Sequence, residues 1–436
     1  MVDTAIMGHL SQSHLGAIAI GTQIFNLIYW NFGFLRMGTS GFTAQAYGAR
    51  RLDEAVRIFV RSIAVALLIA AALIVLQYPI AVLSRLIFST SDEIIVLALS
   101  YFYVRIWAAP ATLGLYAIKG WFIGMQNSRL PMWIAILINV VNIVCSLLFV
   151  LVLHWGIRGV ALGTVIAQYS GLAVGILFVA LRYGKLFRRR LSASFIREAL
   201  RWSEMKLFFR VNGDIFLRTV CLAVVFTFIT AESGRISDSI LAVDTLLLQF
   251  FTLFSYIMDG FAYAGESLVG RYIGARDRKS LVSSIRHLLG WGLALTLIFT
   301  ILYMLFGSQF LLIFSDKQEV ISATQPYLFW ILIIPVCGFS AFLFDGIFVG
   351  ATASRNMRDT MFVATAAFFA VWYAATHIVG NDTEFVRNNI LWTAFMVYLS
   401  ARGIGQALML KKSVYNKVPP KNTNALTQKR TNALTH

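Results

Sequence analysis

Charged residues are scarce in this chain, and their scarcity decides its class. Asp, Glu, Lys and Arg make up only 13% of its 436 residues, whereas an ordinary soluble domain carries about 25%. Hydrophobic residues make up 58%. A soluble globular protein is therefore excluded. Because the chain needs a lipid solvent, we interpret the excess of 37 Lys and Arg over 20 Asp and Glu as membrane topology rather than nucleic-acid binding.

The chain also lacks the usual signs of an enzyme, a metalloprotein or a secreted protein. Its three cysteines lie inside apolar runs and have no disulfide or metal-site spacing. It has no glycine-rich phosphate loop, no histidine pair at ligand spacing and no nucleophile elbow. A cleavable signal peptide is not visible at its start. We therefore predict a protein without catalytic residues or a cofactor.

Apolar stretches long enough to cross about 30 Å of hydrocarbon recur along the whole chain. They predict an all-α membrane protein of twelve spans, the first of which is represented only by a fragment at 1–10. The other spans lie at about 15–47, 62–84, 94–125, 132–153, 159–181, 207–230, 239–270, 288–315, 326–354, 360–378 and 388–410.

The connections between these spans alternate in charge. Those near 50–61, at 129, and at 182–201, 271–286 and 355–358 are basic, and each connection between them holds at most one Lys or Arg. Basic connections remain on the cytoplasmic side of a membrane. The pattern therefore predicts that these connections and both termini are cytoplasmic.

The two halves of the chain repeat each other at a constant offset of 226 residues. The sequence Gly-Ala-Arg at 48–50 recurs at 274–276, and Leu-Ile-Phe-Ser at 86–89 recurs at 312–315. Six spans per half is an even number, so both halves should insert in the same direction about an axis along the membrane normal. This plan is typical of two-lobe transporters, with the substrate path between the lobes.

The repeat also sets the expected domain boundaries. We predict an N-terminal lobe at 1–184, a cytoplasmic linker at 185–205, a C-terminal lobe at 206–411 and a disordered cytoplasmic tail at 412–436. The span that opens the second half begins near Lys206, so its first-half counterpart would begin roughly twenty residues before Met1. We therefore expect most of the first span to be missing from this chain.

Ionisable residues at membrane depth are the candidates for function, because a carboxylate in hydrocarbon costs several kcal/mol unless it is paired, hydrated or protonated. An acid that faces a cavity and has no fixed cation nearby can exchange a proton or bind Na⁺ with neighbouring oxygens. The acids are Asp3, Asp214, Asp244, Asp259, Glu266 and Asp345, and the bases at similar depth are Arg36, Arg105, Lys119, Arg218 and Arg402.

A structural role remains open for several of these groups. Asp214 and Arg218 are four residues apart on one helix and fit an ion pair as well as a site. Asp244 lies near the outer end of its span, where a hydrated position is expected. Asp259 and Glu266 share one helix face and would also be able to neutralise Arg218.

Other polar residues fall within the spans. Lys119 and Asp345 occupy equivalent positions of the two halves, and each precedes a glycine, so opposite charges mark the same point in each lobe. We expect a functional role for this pair. Asn139, Asn142 and Thr164 lie inside spans of the first lobe and either belong to a site or hold helices together by hydrogen bonds.

Several stretches resemble the multidrug and toxic compound extrusion (MATE) family. They are Met-Val-Asp-Thr-Ala-Ile-Met-Gly at 1–8, Gly-Ala-Arg at 48–50, Asn142, and Gly-Val-Ala-Leu-Gly-Thr at 159–164. The stretch 259–276 resembles the DNA-damage-inducible protein F branch of that family. The likeness covers nearly the whole chain apart from its start and its tail.

The resemblance implies an efflux antiporter whose two six-helix lobes rock between inward-facing and outward-facing V shapes and exchange H⁺ or Na⁺ for amphipathic, often cationic drugs. Asp3 matches the family's coupling aspartate, and Asn142 and Thr164 match its polar partners, so that these three residues form the possible Na⁺ site. Asp345 lies where some members have a second cation-binding acid. Ser146 replaces an aspartate of some members, which puts full Na⁺ coordination in doubt.

We therefore expect a multidrug efflux antiporter of the bacterial inner membrane, a monomer whose partners are the lipid bilayer and small-molecule drugs, with no nucleic acid. The alternative is a flippase for lipid-linked saccharides or other anionic amphiphiles, with Lys119, Arg36 and Arg105 as ligands. An acid-dominated central cavity would favour drug cations, and a base-dominated cavity would favour anionic head groups. A passive channel is a third hypothesis, which the repeat disfavours.

Overall fold

The computed structural model describes residues 12–88, 91–188, 190–314, 317–378 and 383–419, and the structural statements below concern these ranges. Their regular structure is entirely helical. Ten helices in them are long and apolar enough to cross a membrane, and a further helix of 30 residues ends the second lobe. The prediction of an all-α membrane fold is confirmed. The predicted fragment of a first span, at 1–10, lies outside the described residues.

The first lobe is built from eight helices. Two of its spans are interrupted: α1 and α2 are separated by a break at Phe32 and Gly33, and a single 3₁₀ turn at Ile106–Ala108 precedes α6. Pro110 follows that turn, at a helix start where its missing N–H costs nothing. The helices are α1 (Gln12–Asn31), α2 (Phe34–Gly48), α3 (Leu52–Val75), α4 (Gln77–Ile87), α5 (Asp92–Arg105), α6 (Ala109–Gly124), α7 (Arg129–Leu147) and α8 (Gly156–Arg188).

The second lobe follows a short helical connection and repeats the first lobe's plan of long spans. Its core is rich in aromatic rings that meet edge to face, among them Phe250, Phe254 and Tyr303. The connection contains α9 (Ala193–Ala199), and the lobe contains α10 (Trp202–Ile236), α11 (Asp238–Gly274), α12 (Arg278–Phe314), α13 (Gln318–Thr324), α14 (Phe329–Gly350), α15 (Ser354–Ile378) and α16 (Glu384–Ser413).

The backbone confirms the repeat independently of composition. Arg50 and Arg276, which are 226 residues apart, both adopt a left-handed conformation, with φ of 58° and 53°. Gln126 and Thr352, separated by the same offset, have φ of 63° and 48°. Non-glycine residues rarely adopt this conformation. Two matched pairs therefore show that α2 and α11, and likewise α6 and α14, end in the same way.

Glycines at matching positions bring the two lobes into close contact at one end. A β-carbon on Gly48 of α2 would overlap the carbonyl oxygen of Arg271 on α11, and a β-carbon on Gly274 would overlap the carbonyl oxygen of Gln45. The two contacts are related by the pseudo-two-fold axis. Because 50–61 and 271–286 follow directly, the lobes meet at the end that carries the basic connections, which we call the closed end.

The linker and the tail differ from the prediction. α8 continues to Arg188 and α10 begins at Trp202, so the linker predicted at 185–205 is shorter. It is also folded, because Arg61 of α3 donates to the Ala199 carbonyl oxygen at 2.9 Å.

The disordered tail predicted from 412 is wrong for 412–419. α16 ends only at Ser413, and Arg278 donates to the carbonyl oxygens of Tyr415 and Val418, both at 2.7 Å. Burial lowers the pKa of the Lys417 amine, which donates to the Ala351 carbonyl oxygen. The first residues of the tail therefore pack against the closed end, and 420–436 lie outside the described residues.

Candidate functional site

A cavity of about 870 Å³ lies between the two lobes. The first lobe supplies residues of α1, α2, α6 and α7 to its wall, and the second lobe supplies residues of α10 and α11. This is the place that the repeat predicts for a substrate path. The charged residues of the wall are Arg36, Lys119, Arg218 and Asp259, and its larger uncharged side chains are Trp30, Met37, Tyr116, Gln126, Met132 and Tyr263.

Arg36 and Glu266 join the lobes across this cavity. The Arg36 guanidinium of α2 donates to both carboxylate oxygens of Glu266 on α11, at 3.0 and 3.2 Å. Ser40, one turn further along α2, donates to the same carboxylate. Glu266 is 1% exposed, and the ring of Tyr263 stacks on Arg36 at 4.1 Å. The prediction that Glu266 neutralises Arg218 is therefore wrong, because Glu266 forms its ion pair with Arg36 of the other lobe.

Asp345 is enclosed by two arginines of its own lobe. Arg218 of α10 and Arg402 of α16 both donate to Oδ2, Arg402 at 2.8 Å, and Gln406 donates to Oδ1 at 2.9 Å. The carboxylate is 5% exposed. With two fixed cations beside it, Asp345 does not meet the condition stated above for an ion-coupling acid. It also does not form a site together with Lys119.

Asp214 makes a different ion pair from the one that helix spacing suggests. Its carboxylate accepts hydrogen bonds from Ser354 at 2.9 Å and from Arg358 at 2.6 Å, both on α15. Arg218, four residues further along α10, is bound to Asp345 instead. The pairing of Asp214 with Arg218 is therefore wrong, and Asp214 does not contribute to the cavity wall.

Lys119 and Asp259 differ from the other charges of the wall. Lys119 lies on α6 in the first lobe, and Asp259 lies on α11 in the second. Within the ranges that the structure describes, neither side chain makes a hydrogen bond or an ion pair. Both are half-buried. These two charges, of opposite sign, are therefore available to a molecule in the cavity.

The polar residues of the first lobe are partly brought together. Asn142 on α7 donates to the Thr164 hydroxyl on α8 at 3.1 Å, so these two residues do connect neighbouring helices. Asn139 is exposed and donates to the Ala135 carbonyl oxygen of its own helix, so it is not part of this contact. Asp3, their predicted partner in ion coupling, lies outside the described residues.

Arg105 is not a ligand of the cavity in this structure. Its guanidinium stacks on the Phe25 ring at 4.7 Å and donates to the Tyr101 hydroxyl at 2.5 Å. It is also absent from the residues that form the wall. Of the three cationic ligands that the flippase hypothesis predicts, the cavity wall therefore contains Arg36 and Lys119 but not Arg105.

The family model MatE matches residues 1–148 and 215–376. The chain belongs to the MATE family. Members of this family are membrane transporters rather than enzymes. The chain is therefore a multi-pass membrane protein of the multidrug efflux type.

Individual relatives agree with this membership in the MATE family. The chain is 34% identical to DNA damage-inducible protein F of Escherichia coli (strain K12), over 94% of this chain and 87% of that protein. It is 23% identical to the probable multidrug resistance protein NorM of Neisseria meningitidis serogroup B, over 84% of this chain and 80% of that protein. The solved "Crystal structure of MATE in the bent conformation" shares the fold, with a TM-score of 0.82 and 18% identity over 96% of this chain and 92% of that chain.

One acid of this MATE chain is far more buried than expected. Asp244 on α11 is 1% exposed, so the prediction of a hydrated position is wrong. Asn388 and Trp392 of α16 cover it and donate to Oδ1 at 3.0 and 2.7 Å. Asp244 does lie near one end of its helix, as the sequence predicts, but the sequence does not show that α16 covers it.

Two glutamines connect the lobes of this MATE chain near the closed end, and the sequence did not identify either. Gln45 on α2 donates to the Gly350 carbonyl oxygen at 2.9 Å and to the Thr352 hydroxyl at 3.1 Å. Gln126, after α6, donates to the Ser267 carbonyl oxygen on α11 at 2.8 Å. The repeated Gly-Ala-Arg motif lies close to both glutamines and is the sequence feature that could have indicated a contact between the lobes here.

Proposed function

We propose that this chain exports amphipathic organic compounds across the bacterial inner membrane in exchange for H⁺, with the closed end facing the cytoplasm. The observation that carries the proposal is the cavity between the lobes, whose wall combines aromatic and apolar surface with one free acid and one free base. Such a wall suits an amphipathic molecule. Exchange for H⁺ supplies the energy, with about 2.3 kcal/mol per charge from each 100 mV of membrane potential.

The lobe contacts support a rocking cycle. Gly48, at the closed end, is about 18 Å from Arg36 along α2, given the rise of a helix. With Gly48 packed against Arg271 and Gly274 packed against Gln45, a substrate in the cavity is separated from the side of the basic connections. An opposite state must separate both glycines from these partners and break the bonds of Arg36 and Ser40 to Glu266. Loading from the cytoplasm and release outside would then alternate.

The free charges of the wall suggest how substrates are held. Arg36 is paired with Glu266, and Arg218 is paired with Asp345, so that Asp259 and Lys119 are the charged groups of the wall without an ion pair among the described residues. A cationic group would bind Asp259 beside the rings of Trp30 and Tyr263, to which cations are also attracted. We therefore propose amphipathic cations as substrates.

A second candidate is favoured by the excess of base in the wall, where the described residues include one acid, Asp259, beside three basic residues. This excess meets the criterion set above for anionic amphiphiles, with Lys119 as the group that binds the head group. The hypothesis of a flippase or exporter for such molecules is therefore retained. The two candidates differ in which of the two free charges matters.

Single substitutions separate the two candidates. If cations are exported, Asp259→Asn should lower their rate of export about tenfold, the effect of about 1.4 kcal/mol of binding energy. Lys119→Met should leave cation export unchanged or raise it. The measurement is ethidium export by proteoliposomes, compared with export of a fluorescent anionic lipid. If Lys119→Met abolishes transport of the anion and Asp259→Asn changes nothing, the second candidate is correct.

We propose Asp3 as the acid that couples H⁺ to transport, as the MATE resemblance implies, with Asn142 and Thr164 as its polar neighbours. Asp3→Asn should abolish drug-dependent proton exchange while the protein remains folded, because an amide cannot release a proton. Asp92→Asn, an exposed acid of the same lobe, is the matched control. Proton exchange at the normal rate in Asp3→Asn would remove this residue from the mechanism.

The proposed function is tested by reconstituting the chain into liposomes with an acidic interior. Loss of the pH gradient is followed when ethidium is added, with and without Na⁺. Collapse of the gradient on addition of the drug, without Na⁺, is the expected result. An unchanged pH gradient, with ethidium flux driven by a Na⁺ gradient instead, would identify Na⁺ as the coupling ion, and equal ethidium flux without any gradient would indicate a passive channel.

A further inference from the structure

The surroundings of Asp244 contain no cation to balance a carboxylate. Asp244 lies six residues after the start of α11, about 9 Å into the span. Across the ranges with described structure, Asp214, Glu266 and Asp345 each have an arginine partner, whereas Asp244 has no ion pair. Its neighbours Ser233, Asn388 and Trp392 are all neutral. An unbalanced buried charge of this kind is costly in hydrocarbon.

The number of hydrogens at Ser233 indicates how this cost is avoided. The Ser233 hydroxyl lies 2.7 Å from the Ile229 carbonyl oxygen and 2.5 Å from Oδ2 of Asp244. Both of these oxygens would be acceptors if Asp244 were ionised, but a hydroxyl has a single hydrogen to donate. If Ser233 donates to Ile229, as a serine inside a helix commonly does, then the contact with Asp244 needs a hydrogen on Oδ2.

We propose that Asp244 is a proton-binding site of the second lobe. The proton resides on Oδ2 and is donated to the Ser233 hydroxyl, while Oδ1 accepts the hydrogen bonds of Asn388 and Trp392. In this arrangement the hydrogens of the Ser233 hydroxyl, the Trp392 indole and the Asp244 carboxyl each have an acceptor, and no charge is buried. The site is separate from Asp3, which is in the other lobe, and it does not depend on the coupling role proposed for that residue.

The other ionisable groups around the site do not supply a balancing cation. On α10, Glu232 is shared by Arg235 and Arg387, each at 3.4 Å, so these arginines are already engaged. The Tyr327 phenol, which lies beside Asn388, is neutral at physiological pH, because a phenol has a pKa of about 10. The acids at the same end of the neighbouring helices are exposed: Asp238 on α11, Glu319 on α13 and Glu384 on α16.

Release of the proton would change the contacts of three helices. An ionised Asp244 would require Ser233 to turn its hydrogen away from Ile229, and it would place a charge between α10, α11 and α16. α11 also carries Asp259 in the cavity wall and Glu266 in the lobe contact. Since Asp244 lies toward the outer end of the span, its proton would be exchanged with the outer side.

Infrared difference spectroscopy of the full chain in lipid bilayers tests the site directly, because a protonated carboxyl has its own C=O stretching band. We expect a band that is lost when the pH is raised, that shifts in heavy water, and that is missing in Asp244→Asn. Asp238→Asn, on the exposed first turn of the same helix, should retain the band. A wild-type band that persists in Asp244→Asn, or no such band in the wild type, would overturn the proposal.

A second variant, Ser233→Ala, distinguishes whether Asp244 or Ser233 donates the hydrogen between them. The change removes one hydroxyl, so the protein should still fold. If Asp244 donates to Ser233, then Ser233→Ala removes an acceptor from the neutral form, and the pH at which the band is lost should fall by about one unit. If an ionised Asp244 accepts from Ser233, the same change removes a donor, and that pH should rise. A rise would refute the proposal. Neither experiment requires transport, so a failure of the proposed export function would be seen separately.

Discussion

Alanine at Gly48 should stop transport while the protein still folds. The added β-carbon would overlap the Arg271 carbonyl oxygen, a backbone atom that cannot turn away, so the lobes can no longer meet at the closed end. The state with separated glycines is unaffected by the extra atom. The substitution should therefore shift the population toward the state that is open at this end, and alternation would cease. Gly274→Ala, its counterpart across the pseudo-two-fold axis, should have the same effect.

Two measurements check this expectation. Export by proteoliposomes should fall to background, and the distance between spin labels at Arg51 and Arg276, which are exposed beside the two glycines, should increase. The matched controls are Gly213→Ala and Gly290→Ala, because an added β-carbon at either position meets nothing within 4 Å. Normal export by Gly48→Ala, with an unchanged label distance, would show that the close contact is not needed in the cycle.

Asparagine at Asp345 should cause the largest loss of stability of any single change discussed here. It would leave the guanidinium groups of Arg218 and Arg402 buried beside each other without a counter-charge. Removal of one member of a buried ion cluster costs about 3–5 kcal/mol of unfolding free energy. We expect a clear fall in the melting temperature of the purified protein in detergent.

A double variant shows whether the charge is the cause. Arg402→Gln added to Asp345→Asn removes one of the two uncompensated cations, so part of the lost stability should return, and the two changes should not be additive. Asp92→Asn, at an exposed position, should melt as the wild type does. If Asp345→Asn also melted at the wild-type temperature, the cluster would contribute nothing to the stability of the lobe.

The large-scale architecture of this chain was accessible from its sequence because it depends on properties that repeat. Runs of apolar residues predict the number of later spans, although α3 occupies Leu52–Val75 rather than the predicted 62–84. The offset of 226 predicts the two lobes, which the left-handed residues Arg50 and Arg276 confirm. The contact between Asn142 and Thr164 was also expected, since polar side chains inside adjacent spans tend to find each other.

The charge pairs were not accessible, for a physical reason. Helix periodicity shows that Asp214 and Arg218 lie on one face, but the rotation of the helix in the bundle decides which neighbours that face meets. The partners of Asp214 and Arg218 are Arg358 and Asp345, more than a hundred residues away. Asp244 was misjudged in the same way, because position along a span does not reveal that another helix covers it.

Ser40 and Glu266 occupy the same position in the two repeats, yet they meet each other beside the axis between the lobes. A symmetric dimer of two first halves would bring two copies of Arg36 to this place with no acid. A dimer of two second halves would bring two carboxylates with no base, because Ala262 occupies the position equivalent to Arg36. A fused chain, in which the two halves differ in sequence, can place an acid on one side of the axis and a base on the other.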